Sequence, residues 1–186
     1  FIPFGGIIVF NSFEGRTMDK NNTINELIIN FTPTGMVPKK SQVPTLPESP
    51  NEIIEQTHQA HELGITMVHV HARDKNGIPT HDIKQFEKIF AGIRRHCPDL
   101  VICASLSGRG GISAEERCEV LQLRPDMGSL TLSSLNFPNQ ASVNSPDTIT
   151  HLIKAMNELG VSPELECFDP GMLNYSKYLI KKGLLT

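Results

Sequence analysis

The residues with the strongest chemical signature are His69 and His71, separated by Val70 in the run TMVHVH at 66–71. On a β-strand, side chains alternate between faces, so both imidazoles project to one side and Val70 to the other. Two neutral imidazoles converging on one point suit zinc, which they ligate at roughly 2.0 to 2.1 Å; a catalytic zinc wants three protein ligands and one open position. The pair supplies two. Alternatively, both are polar residues of a barrel interior satisfied by hydrogen bonds, but a pair at the end of a buried strand, followed by Ala72-Arg73-Asp74-Lys75-Asn76-Gly77, favours the metal. A second H-x-x-H, His58 and His61, lies near Glu55 and Glu62 on a helical segment and reads as a solvated face. His81, His96 and His151 read as surface residues.

Further along, Ser105-Leu106-Ser107-Gly108-Arg109-Gly110-Gly111 combines hydroxyls, accessible backbone N–H groups and one guanidinium, a set suited to a carboxylate or phosphate. No Walker-type lysine accompanies this turn and no G-x-G-x-x-G follows the first strand, so a nucleotide fold is not indicated. Ser129 and Thr131 alternate along another strand and can share a face, although both types also fill ordinary strands. Glu166 alternates with Glu164 and Phe168, and an acid buried there would need a partner.

The elements that must position these residues are legible. Five short, mostly apolar runs read as doubly buried strands: 27–32, 66–71, 100–105, 128–133 and 164–168. Helical segments separate them. Ser49-Pro50-Asn51-Glu52 joins an N-cap, a first-turn proline and a capping-box glutamate, with Gly64 as the stop; Ser145-Pro146 and Gly160 repeat that punctuation. Ser113 with Glu116 caps a further helix, and residues 172–182 form the last. Apolar stripes run through Ile83, Phe86, Ile89, Phe90 and Ile93, and through Ile149, Leu152, Ile153, Met156 and Leu159. Alternating β and α units give an α/β fold with a parallel sheet. Five units could make an open flavodoxin-like sheet or part of a TIM (β/α)8 barrel. The polar residues decide for about five of a barrel's eight units: Thr34, His69, His71, Ser105, Ser107, Ser133, Ser134 and Asp169 fall at or just past strand C-termini, where barrel sites are built.

At 186 residues and 39% hydrophobic content the chain can bury a sizeable core, yet it is short of the ~250 residues of a closed barrel. A net charge of −3 without massed basic residues gives no footprint for nucleic acid or an acidic membrane surface, so a small-molecule partner is expected. Cys97, Cys103, Cys118 and Cys167 have no C-x-x-C spacing; with Cys103 and Cys167 as apolar strand residues, a reduced, cytoplasmic location is expected. The opening ten residues are too few to span a membrane and lack a basic flank. Because Met18-Asp19-Lys20 begins a polar stretch leading into the first strand, residues 1–17 are expected to be a non-native or disordered extension, and 18–186 an incomplete barrel domain.

The motifs TPTGM at 32–36, HVHARD at 69–74, SLSGRGG at 105–111, RPDMGSLTLSSLNF at 124–137 and PELECFDPGML at 163–173 together resemble the β-keto acid cleavage enzymes, the family that includes 3-keto-5-aminohexanoate cleavage enzyme. The resemblance runs from about residue 27 to the end, with the motifs in family order. It implies a zinc-dependent barrel that condenses a β-keto acid with acetyl-CoA, giving a new CoA ester and acetoacetate by Claisen and retro-Claisen steps, and a homo-oligomeric assembly. His69 and His71 match the zinc histidines, Ser105 and Gly108 match substrate-binding positions, and Ser129 matches a threonine whose hydroxyl it keeps.

Two departures follow from the same resemblance. Where the aminohexanoate enzyme has a glutamate for the substrate amine, this chain has Val37, so a neutral or apolar β-keto acid is expected. The family's third zinc ligand, its aspartate base and its arginine lie on strands beyond Thr186, so the chain as written is expected to be inactive and exposed along an open sheet edge. Two other readings stand beside this one. One is a non-catalytic metal- or carboxylate-binding module. The other is an H-x-H zinc hydrolase of amidohydrolase type, although there the histidine pair sits on the first strand and here residues 27–32 precede it.

Overall fold

A computed structural model of the chain describes the backbone of residues 6–11 and residues 27–138 and 140–185 in full. In chain order the elements are β1 (Gly6–Asn11), β2 (Leu27–Thr32), α1 (Pro50–Glu62), β3 (Met67–Val70), β4 (Ala72–Arg73), β5 (Pro79–Thr80), α2 (Ile83–His96) and β6 (Val101–Ala104). There follow α3 (Ala114–Leu121), β7 (Met127–Thr131), β8 (Leu135–Phe137), β9 (Gln140–Ser142), α4 (Pro146–Leu159), β10 (Ser162–Glu166) and α5 (Pro170–Lys181).

The main sheet has the order β1-β2-β3-β6-β7-β10. Its five central strands are parallel, each joined to the next through a helix, and β1 lies antiparallel on the outer edge of β2. This is the five-unit half-barrel that the sequence predicts. Within the stretch read as an extension, residues 6–11 pair along β2 from Gly6↔Thr32 to Asn11↔Leu27; residues 1–5 and 12–17 lie outside the described residues. The last parallel strand runs over Ser162–Glu166, two residues earlier than the apolar pattern indicates, because Asp169 caps α5 and the chain must leave the sheet before it.

Helix starts follow the sequence signals. Ser49 Oγ accepts from the Glu52 N–H at 3.3 Å while Glu52 Oε2 accepts from the Ser49 N–H at 2.9 Å, and Ser113 with Glu116 repeats the exchange. Each cap of this kind stabilises by about 1 kcal/mol. The helices lie on the outer face of the sheet. Phe86, Ile89, Phe90 and Ile93 of α2 and Ile149, Leu152, Ile153 and Met156 of α4 are buried against Val68, Val70, Ile102, Ala104 and Leu130.

The other face carries the intervening residues of the same strands: Asn30, His69, Cys103, Ser129 and Glu164, with His71, Ser105, Thr131 and Glu166 one step further along. Barrel interiors are usually filled by branched apolar side chains, so this polar lining marks a site. The curl is visible in one contact, Asn30 Nδ2 of β2 donating to Glu164 Oε1 of β10 at 2.8 Å across the concave face.

Packing is close where β7 meets its helices. A Cβ on Gly128 would stand 3.0 Å from Met156 Cε and 3.1 Å from both Leu106 Cδ1 and Leu121 Cδ2. Gly128→Val is expected to overpack this junction and lower stability by about 1–3 kcal/mol, read as a lower urea midpoint at unchanged slope.

Candidate active site

At the C-terminal ends of the parallel strands a cavity of about 750 Å³ opens, with His69, His71, Ser105, Arg109, Thr131 and Glu166 among its walls. Its position is that of a barrel active site. His69 and His71 share one face, with ring centroids 5.0 Å apart. The His69 Nδ1–H donates to Glu164 Oε2 at 2.6 Å, which leaves Nε2 without a committed partner on the opposite side of the ring. His71 Nδ1 is buried with no hydrogen-bond partner.

Electrostatics separate the two rings. Burial pushes the His71 pKa well down, and the positive groups around it, His69, His81, Arg109 and Arg73, push it further. The ring is therefore neutral, the form that ligates a metal. Burial also opposes charge on His69, but the hydrogen bond and negative charge of Glu164 outweigh it and raise the pKa. Glu164 responds in the opposite sense: burial works against its ionisation, yet donors from His69, Cys103 and Asn30 hold its carboxyl below the usual range. A neutral ring with an orphaned nitrogen beside a ring whose second nitrogen is free fits a soft-to-borderline divalent cation such as zinc.

The turn after β6 behaves as a built element. The Ser105 N–H donates to Val70 O at 2.9 Å, docking the turn onto β3, and Ser105 lines the cavity. Gly108 admits no larger residue: a Cβ would stand 2.7 Å from Val143 O and 3.0 Å from Arg117 Nη1. Arg117 is fully buried, with Nε donating to Leu106 O at 2.6 Å and Nη2 to Asn144 Oδ1 at 2.9 Å, so a guanidinium underlies the turn. Arg109 stacks its guanidinium on Phe137 of the β8–β9 hairpin, 3.4 Å from the ring centroid. On the opposite wall, Arg73 holds the loop after β2 through Gly35 O at 3.0 Å and Pro38 O at 2.8 Å, which sets Gly35 and Met36 against the cavity.

The other sequence-derived positions divide. Ser129 is buried one layer below the cavity, where its Oγ accepts from the Leu106 N–H at 2.9 Å; the hydroxyl of β7 that reaches the cavity is Thr131, hydrogen-bonded to Glu166. Thr34 donates to Pro47 O, Ser134 accepts from the Asn144 N–H, and Asp169 caps α5, so these polar residues hold structure. Cys103, read as a core filler, is on the inner face and donates its S–H to Glu164 Oε2 at 3.2 Å. Glu164 was not singled out from the sequence; its spacing of two from Glu166 placed it on the same face and was the available signal.

His81 corrects a second reading. It is 9% exposed rather than a surface residue, packs beside Phe86, and has no hydrogen bond to either ring nitrogen. Nothing in its own sequence neighbourhood distinguishes it, because burial comes from the turn after β6 folding over it.

With the geometry in place, residues 26–186 match the profile of the β-keto acid cleavage enzymes, and the chain belongs to that family. It is 38% identical over 146 residues to the 3-oxoadipate:acetyl-CoA acetyltransferase of Cupriavidus necator, covering 78% of this chain and 51% of that protein. It is 34% identical over 163 residues to the 3-keto-5-aminohexanoate cleavage enzyme of Fusobacterium nucleatum, covering 87% and 60%. The chain thus spans between half and three-fifths of the length of these relatives. Among solved structures, ObcA in a ternary complex with a C4-CoA adduct and oxalate superposes with a TM-score of 0.69 over 76% of this chain and 35% of that one; at 21% identity this shows a shared fold. Among the described residues no helix is long and apolar enough to cross a membrane.

His81 yields a prediction on stability. Burial, then the positive charge of Arg117, lowers its pKa to about 4. Between the ordinary histidine value near 6.5 and that value, the unfolded chain binds a proton that the folded chain does not, so stability falls as pH drops through this window. The loss is on the order of 3 kcal/mol. His81→Leu is expected to remove that part of the acid limb in a series of denaturant midpoints between neutral and acid pH.

Proposed function

We propose that this chain forms the first five units of a zinc-dependent β-keto acid cleavage enzyme, which condenses a β-keto acid with acetyl-CoA to give a new CoA ester and acetoacetate. The observation that carries the proposal is the His69–His71 pair at the barrel mouth, one ring neutral with an orphaned buried nitrogen and the other with its free nitrogen opposite a carboxylate, in a chain of this family.

In this reading His69 and His71 are two of the residues that would hold Zn2+. Bound there, the ion would supply Lewis-acid chemistry for a keto oxygen. The protein groups do the rest. Ser105 and the turn at Gly108 receive the substrate carboxylate, supported by Arg109 on the cavity wall and by the buried charge of Arg117 beneath. Ser129 contributes by fixing the Leu106 amide and hence the turn. Glu166, held by Thr131, places a second carboxylate on the wall. Four free thiols fit a reducing, cytoplasmic setting, and a homo-oligomer belongs to the same family likeness.

The test is acetoacetate formation from acetyl-CoA and a panel of β-keto acids by the complete protein, with metal content measured in parallel. One zinc per active site is expected. Chelation should abolish turnover, and His69→Ala or His71→Ala should lose the metal and lower kcat/KM by more than about 100-fold. Retained zinc without turnover would favour the binding module. Metal-dependent hydrolysis without acetyl-CoA would favour the hydrolase.

Selectivity gives a second outcome. Val37 is uncharged and exposed in the loop whose neighbour Met36 lines the cavity, and Arg109 adds positive charge nearby. Position 37 itself offers an ammonium no carboxylate. Uncharged β-keto acids are expected to have higher kcat/KM than 3-keto-5-aminohexanoate, and Val37→Glu should narrow that gap.

A further inference from the structure

The triad His69, Cys103 and Glu164 brings Nδ1, Sγ and a carboxylate oxygen within 4.8 Å of one another, with His69 and Glu164 lining the cavity. Two assignments compete for it. The three could ligate a cation themselves, which would take Nδ1 of His69 as the donor nitrogen. Alternatively they form a hydrogen-bonded array that fixes the ring for a ligand on its other side.

The hydrogen bonds decide between these. Both oxygens of Glu164 are already committed: Oε1 accepts from Asn30 Nδ2 at 2.8 Å, and Oε2 accepts from His69 Nδ1 at 2.6 Å and from the Cys103 thiol at 3.2 Å. A thiol donating to a carboxylate is protonated, and burial followed by the charge of Glu164 pushes its pKa well above the usual value. The metal-binding form of cysteine, the thiolate, is thereby disfavoured at this position. Glu164 also sits on the strand opposite the histidine and is held from a third strand by Asn30.

The geometry points to Glu164 as the positioning residue that fixes His69 as its Nδ1–H tautomer and turns Nε2 toward the cavity, with Asn30 and Cys103 holding the carboxylate in place. This rests on the zinc reading above for what Nε2 then ligates. A carboxylate behind a ligating imidazole raises its basicity and fixes its plane, and losing such a partner costs about 10- to 100-fold in metal affinity. Cys103 is a donor to the array and not a ligand.

The test uses the complete protein loaded with Co2+ or Zn2+. Isothermal titration should show Zn2+ bound about 10- to 100-fold more weakly by Glu164→Gln, and less weakened by Asn30→Ala, which leaves the His69 bond in place. The Co2+ spectrum should lack a thiolate charge-transfer band and be unchanged in Cys103→Ala. In the metal-free protein in alkaline buffer, long-range proton–nitrogen NMR should show His69 as the Nδ1–H tautomer, and a mixture of tautomers in Glu164→Gln. If that variant does not fold, the wild-type tautomer and the Asn30→Ala series still decide. An unchanged Zn2+ affinity in Glu164→Gln, an Nε2–H tautomer in the wild type, or a thiolate band lost in Cys103→Ala would overturn the assignment. Absence of metal binding by the wild type would instead remove the zinc reading, while the NMR result would still report on Glu164 and His69.

Discussion

The hydrogen bond from Asn30 to Glu164 joins the first parallel strand to the fifth. In a flat sheet of order β2-β3-β6-β7-β10 those strands would stand four spacings of roughly 4.8 Å apart. The bond exists because the sheet curls until its inner face becomes a trough. Everything chemical in the molecule depends on that curvature. It brings the carboxylate of β10 against the imidazole of β3 and gathers strand ends into one cavity. Buried polar groups are costly without partners, and only in the curled form does the Glu164 carboxylate gain its donors from Asn30, His69 and Cys103.

The same trough sorts charge. Glu164 is surrounded by donors and stays ionised, its charge raises the His69 pKa against the effect of burial, and His71, a step nearer the mouth and facing positive groups, stays neutral. Arg117 adds a cation beneath the turn after β6 with only carbonyl and amide oxygens as its hydrogen-bond acceptors. A guanidinium bonded in this way retains most of its field, which favours an anion above it and discourages protonation nearby. The same charge adds to burial in lowering the His81 pKa, so one guanidinium bears on both a buried histidine and the turn above it.

Most of the scaffold was legible because it rests on local rules. Ser49 and Ser113 with their glutamates, the proline at the first turn of α1, and the apolar stripes of α2 and α4 specify helices from neighbouring residues alone. Period-2 alternation placed His69 and His71 together for the same reason. What escaped was set by distant parts of the chain. Cys103 looks like any strand cysteine until β10 brings Glu164 to it from 61 residues away. His81 looks like a polar loop residue until another turn covers it. Ser129 and Thr131 share a face and a chemistry, yet only the depth of each in the trough decides which one meets the cavity and which one braces a backbone amide. The short hairpins β4–β5 and β8–β9 were likewise invisible as strands, being two or three residues long and defined by pairing rather than by composition.

The antiparallel strand β1 has a further consequence. A strand in a sheet has two hydrogen-bonding edges, and each accepts a single neighbour. One edge of β2 belongs to β3, and β1 takes the other from Gly6 to Asn11. In a closed (β/α)8 ring that second edge is where the final strand docks. Occupation by β1 and closure of the ring are therefore mutually exclusive states of the same backbone groups. Here β1 fills the outer edge of β2, so an antiparallel strand borders the trough on that side.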